Sequence, residues 1–132
     1  MTNSPSSHRS TCSIARALDL FGDKWTLLVL RDVLWNDKHT FQALQSCAER
    51  IPSNLLAQRL KRLEAQGFLI RDAYQDRPKR YRYLPTDKAR TLEPILREMM
   101  LWGHEHLNGT FVDRDGQDGP NPTQLSLDLS PR

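Results

Sequence analysis

Residues 51–67 read IPSNLLAQRLKRLEAQG, a stretch that combines a helical pattern with an abrupt end. At about 100° per residue, three leucines of this stretch share one narrow side of a helix over residues 54–66. Gly67 then supplies the residue type that most readily adopts the left-handed conformation at a helix end. A helix with one apolar side needs a core to cover that side, so other elements must pack against it. The apolar side carries Leu56, Leu60 and Leu63.

The stretches on either side of this helix predict the other elements of the fold. Before it, the sequence predicts three helices: a short first one with Thr11 or Ser13 as N-cap, an apolar second one capped by Asp23, and a third opened by Thr40. After it, FLIRDAY and RYRYL, separated by QDRPK, predict a β-hairpin with a charged tip. Thr86 and Asp87 then open a last helix, which Pro94 kinks or restarts. This order predicts a mainly α protein with a small β-hairpin wing, a winged helix-turn-helix.

A chain of 132 residues supports one domain of ordinary size. We expect a flexible arm over residues 1–10, the winged helix-turn-helix and dimerisation domain over 11–107, and a disordered tail over 108–132. No apolar run approaches the roughly 18 residues of a membrane span, and the polar N-terminus lacks a secretory signal. We therefore expect a cytoplasmic protein without membrane contacts.

The residues that carry catalytic or metal chemistry form no convincing group. Two cysteines without CxxC spacing do not make a zinc site. His104 and His106 are two residues apart, so a regular helix points them in different directions and they cannot share one metal ion. With no nucleophile group, phosphate loop or paired carboxylates, we expect neither an enzyme nor a cofactor.

Positive charge is concentrated in one part of the chain. Residues 50–90 hold eleven Lys and Arg against four acidic residues, a net +7 in a protein whose total is +3. Such a concentration is typical of proteins that bind a polyanion.

The polar side of the 54–66 helix carries the residue types that contact DNA. Asn and Gln are bidentate readers of adenine, so Asn54 and Gln58, with Ser53, are the candidates for base contacts. The candidates for phosphate contacts are the cations Arg59, Lys61 and Arg62, the backbone amides at Thr40, and the wing residues Arg77, Lys79 and Arg80. Two other interpretations stay open: a face that is only solvated, and a winged-helix module that binds protein. The net charge of residues 50–90 argues against the protein-binding module. Three features argue against a face that is only solvated: base-reading side chains at the start of the helix, cations further along it, and the basic hairpin that follows.

Three runs of the chain resemble a known family: CSIARALDLFGDKWTLLVLRDVL, IPSNLLAQRLKRLEAQGFLIR and RYRYLPTDKARTLEPILREMMLWGHEH. Together they are similar to the HxlR-type winged helix regulators of bacteria over about residues 12–107. The resemblance implies a homodimeric transcription factor that pairs through its first and last helices and binds a pseudo-palindromic operator; we expect a repressor. Pro52-Ser53, where many relatives have Ser-Pro, and Pro85, in place of the usual leucine, depart from the pattern.

The apolar stripe of the last helix is broader than one small subunit can cover, which also favours dimerisation. Met99, Met100 and Trp102 could instead line a pocket for a small-molecule effector, but a terminal helix more often supplies an interface. The residues expected in the dimer interface are Ile14, Leu18, Leu96, Met99, Met100 and Trp102.

Two further features suggest regulation or a partner. Cys12 begins a predicted helix beside Arg9 and Arg16, which favours its thiolate, and some members of the family use this cysteine as a thiol switch for an oxidant. The alternative is a thiol that only packs at the interface, whereas Cys47 is expected in the core. Residues 124–129, QLSLDL, resemble the peptide that docks bacterial proteins on the replicative sliding clamp, the alternative being an inert tail.

Overall fold

The computed structural model describes residues 9–111, which contain six helices and one β-hairpin. The order is the predicted one, except that the last helix is divided into α5 and α6. Pro94 lies in the first turn of α6, in agreement with the predicted restart. None of the described helices is long and apolar enough to cross a membrane. The elements are α1 (Ser13–Phe21), α2 (Thr26–Trp35), α3 (Phe41–Gln45), α4 (Ser53–Ala65), β1 (Leu69–Asp76), β2 (Lys79–Pro85), α5 (Asp87–Arg90) and α6 (Glu93–His106).

Short polar side chains begin three of these helices. The Asp23 carboxylate accepts hydrogen bonds from the backbone N–H groups of Trp25 and Thr26, both at 3.1 Å. Thr40 accepts from the Ala43 N–H at 3.1 Å, and Thr86 does the same for α5. These side chains satisfy N–H groups that the first turn of a helix leaves without partners. Thr40 and Thr86 are the N-caps that the sequence predicts, whereas α2 begins at Thr26, so Trp25 occupies its N-cap position and Asp23 bonds from two residues earlier.

The start of α1 differs from the prediction. Neither Thr11 nor Ser13 is the N-cap, because Cys12 occupies that position without a side-chain capping bond and Ser13 is already helical. The Cys12 N–H instead donates to the Ser10 hydroxyl at 2.9 Å. Three neighbouring hydroxyl residues compete for one cap here, and their spacing alone does not decide which of them bonds.

The core lies between α2, α3 and α4 and is closed by the start of the wing. Leu56, Leu60 and Leu63 are all buried, which confirms the apolar side of α4. At its end the Gly67 N–H bonds to the Glu64 carbonyl and the Phe68 N–H to the Leu63 carbonyl, while Gly67 has φ +82°. This is the Schellman arrangement, which needs a left-handed residue at the glycine position. The other buried apolar residues of this core include Val29, Leu30, Val33, Leu44, Cys47, Ile51 and Leu92.

The wing is an antiparallel pair of strands, longer than the sequence pattern indicates. Leu69 pairs with Pro85 at its base and Asp76 with Lys79 at its tip, and the register shifts between Ala73 and Gln75. The Tyr83 N–H donates to the His39 carbonyl at 2.7 Å, which ties β2 to the connection between α2 and α3. The wing is thereby fixed beside α3 and α4.

Candidate nucleic-acid interface

The outer face of α4 presents a mainly polar surface, in which the only apolar side chains are the small ones of Ala57 and Ala65. Asn54, Gln58 and Lys61 are exposed on the side of α4 that faces away from its buried leucines, whereas Ser53, three residues before Leu56, is exposed in the first turn on the leucine side. Pro52 occupies the N-cap and Ser53 is the first helical residue. Ser53 is therefore exposed at the first turn of α4, next to Asn54 in sequence but not on the outer face with Gln58.

Arg59 and Arg62 lie on the same helix but are bonded to the protein. The Arg59 Nε donates to the Asp23 carboxylate at 2.8 Å, and the Arg59 side chain is only 18% exposed. The Arg62 Nη2 donates to the Asp19 carbonyl at 2.6 Å, in the last turn of α1. The structure thus separates the three cations expected to meet phosphate: Lys61 is exposed, and both arginines are attached to the α1–α2 junction.

Asp23 collects several donors at this junction. Burial by itself would raise the pKa of its carboxyl, but hydrogen bonds from Thr26 and Arg59, with the Trp25 N–H, hold that pKa well below its usual range. The carboxylate is therefore charged under all ordinary conditions, and it acts as both helix cap and ion-pair partner.

A cleft separates the wing from the start of α3, with a volume of about 280 Å³. Thr40, Lys79 and Arg80 line it together, although the sequence places them about 40 residues apart. Arg77 is exposed at the hairpin tip. The remaining lining residues are Phe41, Gln42, Tyr74, Tyr81 and Tyr83.

Gln42 and Tyr74 were not predicted from the sequence as part of this surface. Gln42 is exposed on α3, and Tyr74 is exposed on β1. The available signal for Tyr74 was its position between Asp72 and Asp76, two residues away on either side, which a strand places on the same polar face. The place of Gln42 in the cleft follows only from the packing of the wing beside α3, which the sequence does not show.

Two wing arginines have acidic partners within the wing or α4. Arg82 bonds Asp72 at 2.9 Å, and Arg71 lies 3.7 Å from Glu64 and 4.3 Å from the Tyr81 ring centre. Their charge is thus partly balanced. Among the residues predicted to contact DNA, the wing cations Arg77, Lys79 and Arg80 are exposed.

The comparisons with known proteins agree with this geometry. A family model described as HxlR-like helix-turn-helix matches residues 20–111, more than half of the chain. The chain belongs to this family. It is an HTH-type, DNA-binding transcriptional regulator, and the predicted resemblance is confirmed.

Relatives and solved structures of HxlR-type and similar regulators cover most of the domain. The HTH-type transcriptional regulator YvaP of Bacillus subtilis is 32% identical over 98 residues, which are 74% of this chain and 90% of YvaP. The crystal structure of PA1607, described as a putative transcription factor, has a TM-score of 0.67 at 28% identity, covering 88% of this chain and 84% of PA1607. The redox regulator HypR in its reduced form has a TM-score of 0.63 at 29% identity, covering 74% of this chain and 95% of HypR. HypR has also been solved in its oxidised form.

The apolar residues expected at a dimer interface divide into two groups. Ile14 and Leu18 on α1 and Met99 and Trp102 on α6 are exposed, Ile14 by 72% and Trp102 by 62%. Leu96 is only 7% exposed within the single chain, next to Leu27, Leu28 and Trp35 of α2, so it presents little surface to a partner. Met100 is partly buried against Leu101.

A cavity of about 270 Å³ lies between α2 and α6. Met99 and Met100 line it with Leu27, Leu28 and Trp35, but Trp102 is not among its lining residues. The Trp102 ring is instead 4.8 Å from that of His106.

The two cysteines lie in different surroundings. Cys12 is exposed at the start of α1, whereas Cys47 is buried in the core, as predicted for Cys47. Arg9 donates to the Asp19 carboxylate at 2.6 Å, so one cation expected to favour the Cys12 thiolate is already paired. Within residues 9–111 no group of His, Cys, Asp and Glu could hold a metal ion. The QLSLDL sequence at 124–129 lies outside the described residues.

Proposed function

We propose that this regulator is a homodimeric repressor that binds a pseudo-palindromic operator with α4 in the major groove of each half-site. The observation that carries the proposal is the exposure of Asn54, Gln58 and Lys61 on α4, opposite its buried leucines, with Ser53 exposed at the start of the helix. A helix anchored along one side and polar along the other fits the width of the major groove. The site of action is then the cytoplasm, and the role is binding, not catalysis.

The residues divide between reading bases and holding the backbone. Asn54 and Gln58, with Ser53, read base edges near the start of α4. Lys61, one turn further along, holds phosphate. The wing then contacts the adjoining DNA backbone or minor groove. Its contacts come from Lys79 and Arg80, which line the cleft together with Thr40, and from Arg77 at the hairpin tip.

The dimer forms through the exposed apolar residues of α1 and α6. Ile14, Leu18, Met99 and Trp102 supply large apolar side chains on the first and last helices, and contiguous exposed apolar surface marks interaction sites in soluble proteins. Residues 11–107 then form the DNA-binding and dimerisation domain. Half-sites are separated by whole turns of duplex.

Binding-site selection from random duplex tests this function. The wild-type protein is expected to select a site with two-fold symmetry. Gln58→Ala is expected to relax preference at one or two base pairs, whereas the matched surface change Lys61→Ala weakens binding to every sequence. An unchanged selected sequence in Gln58→Ala contradicts the assignment of the reading face, and selection of no duplex contradicts the proposed function.

Redox control through Cys12 is a second candidate for this regulator. Cys12 is exposed at the start of α1, and the similar protein HypR is a redox regulator solved in both states. An oxidised Cys12 beside the proposed interface could change how two subunits pair. Operator affinity measured before and after a thiol oxidant, in wild type and Cys12→Ser, tests this. Loss of the oxidant response in Cys12→Ser supports the switch, and equal responses remove Cys12 from the mechanism.

A further inference from the structure

The side of α4 between its reading face and its buried leucines is bonded to the α1–α2 junction at two points. Arg59 donates to Asp23 at 2.8 Å, and Arg62 donates to the Asp19 carbonyl at 2.6 Å. The two arginines are three residues apart, so they lie one above the other on α4. They meet the end of α1 and the start of α2 side by side.

Both acceptors are well suited to a cation. The Asp19 carbonyl belongs to the last turn of α1, where carbonyl groups have no partner within the helix and the helix dipole favours positive charge. The Asp23 carboxylate also accepts from the Trp25 and Thr26 N–H groups, and its side chain is 26% exposed. Moving Arg59 to a DNA phosphate would leave that carboxylate without its cation.

We infer that Arg59 and Arg62 are positioning residues, which fix the angle of α4 against the α1–α2 junction, and that they do not hold DNA phosphate. This inference rests on the proposed function, because it concerns the helix that we propose reads DNA. It replaces the phosphate role that the sequence suggested for both arginines. Lys61, exposed on the outer face, keeps that role.

The same bonds connect the proposed dimer interface to the reading helix. No residue of α1 is buried, so α1 is held at its end by Phe21, which packs on the core, and by the bond from Arg62. Gly22 permits the tight turn that follows, since a Cβ there would lie 2.5 Å from the Leu18 carbonyl oxygen. A displacement of α1 by a partner subunit is therefore passed to α4 through Asp19 and Asp23.

The test uses a charge-balanced pair of substitutions. The double variant Asp23→Asn/Arg59→Gln keeps the net charge, and Asn can still cap α2. Lys61→Gln is the matched control on the outer face of α4. Fluorescence anisotropy gives Kd at several salt concentrations for the selected duplex and for a scrambled duplex, and thermal unfolding checks that each variant is folded.

A positioning role predicts a loss of selectivity without a loss of phosphate contacts. In the double variant, Kd for the selected duplex rises about tenfold, as for loss of a charge-assisted hydrogen bond, and the scrambled duplex changes by less than about twofold. The slope of log K against log salt stays at the wild-type value. Lys61→Gln makes that slope shallower by about 0.9 for each subunit bound, on both duplexes.

Other outcomes overturn the inference. A slope shallower by about 0.9 per subunit in the double variant assigns Arg59 to phosphate. If the double variant has the wild-type Kd for both duplexes, the bonds to the α1–α2 junction do not fix the angle of α4. If the wild-type protein shows no salt-dependent binding to any duplex, the proposed function itself is overturned. That result is distinct from the outcomes that overturn only the positioning role. If the double variant does not fold, Arg62→Gln is measured in the same way, with an unchanged slope expected and a slope shallower by about 0.9 against the inference.

Discussion

Asp23 shows how one side chain serves stability and site geometry together. Its carboxylate accepts from the backbone N–H groups of Trp25 and Thr26 at the start of α2, accepts from the Thr26 hydroxyl and pairs with Arg59 of α4. These bonds favour the charged form, so the pKa of Asp23 in the folded protein lies well below its usual range, although burial alone would raise it. The pKa of Glu49 is lowered in the same way: hydrogen bonds from Arg31 lower it, although burial alone would raise it.

Acid stability follows from these lowered pKa values. A carboxyl whose pKa is lower in the folded chain contributes stability above the unfolded pKa, near 4, and that contribution is lost as the pH falls towards the folded pKa. We expect the free energy of unfolding to decrease from about pH 5 to pH 2, and to decrease less in Asp23→Asn. Urea denaturation at each pH measures this. Asp76→Asn, on the exposed wing, is the control, and equal pH dependence in both variants contradicts the role of Asp23.

Among the elements, the buried side and the end of α4 could be predicted from the sequence, but the residues to which α4 is bonded could not. Leu56, Leu60, Leu63 and Gly67 determine the buried side and the end of α4, because helical spacing and a left-handed glycine are local properties. The bond from Arg59 to Asp23 joins residues 36 apart, and only the packed fold brings them together. For the same reason, helical spacing alone does not show that Leu96 is nearly buried within the single chain.

The end of α4 depends on the left-handed backbone of Gly67. Its φ is +82°, and a Cβ there would approach only the Lys88 Cδ at 3.9 Å, so space does not restrict a side chain but backbone strain does. Gly67→Ala is expected to lower the free energy of unfolding by about 1–2 kcal/mol, measured by urea denaturation. Gly103→Ala, inside α6 with normal backbone angles and its Cβ 3.8 Å from Leu107, is the control and is expected to have little effect or to stabilise. Equal effects of the two substitutions contradict the strain argument.

We expect the cations near the wing tip to contribute more to DNA binding than those further along its strands. Lys79 lines the cleft beside α3, whereas Arg82 is bonded to Asp72 at 2.9 Å. We expect Lys79→Ala to weaken binding to all duplexes and to make the salt slope shallower by about 0.9 per subunit. Arg82→Ala removes the same charge and is expected to change that slope less. Anisotropy titrations at several salt concentrations compare them, and a larger change in Arg82→Ala contradicts the assignment.

At the scale of the whole molecule, we propose that the exposed apolar residues of α1 and α6 pair two subunits. We expect Met99→Asp to produce monomers, because a carboxylate at the centre of an apolar interface loses its hydration. Sedimentation velocity measures the mass, and operator affinity is expected to fall on the order of a hundredfold with loss of the second half-site. Ile70→Asp, on the exposed wing, is the matched control and is expected to leave the dimer intact. Dimeric Met99→Asp protein would show that subunits pair elsewhere.

The most direct test of the DNA-binding account is a duplex titration by fluorescence anisotropy from about 50 to 200 mM salt, with wild type and Gln58→Glu. The wild type is expected to bind, with log K falling linearly against log salt. Gln58→Glu is expected to lose binding to every duplex, because its carboxylate on the outer face of α4 meets the negative potential of the groove. Failure of the wild type to bind any duplex at the lowest salt, or equal binding by Gln58→Glu, contradicts the docking of this face of α4 on DNA.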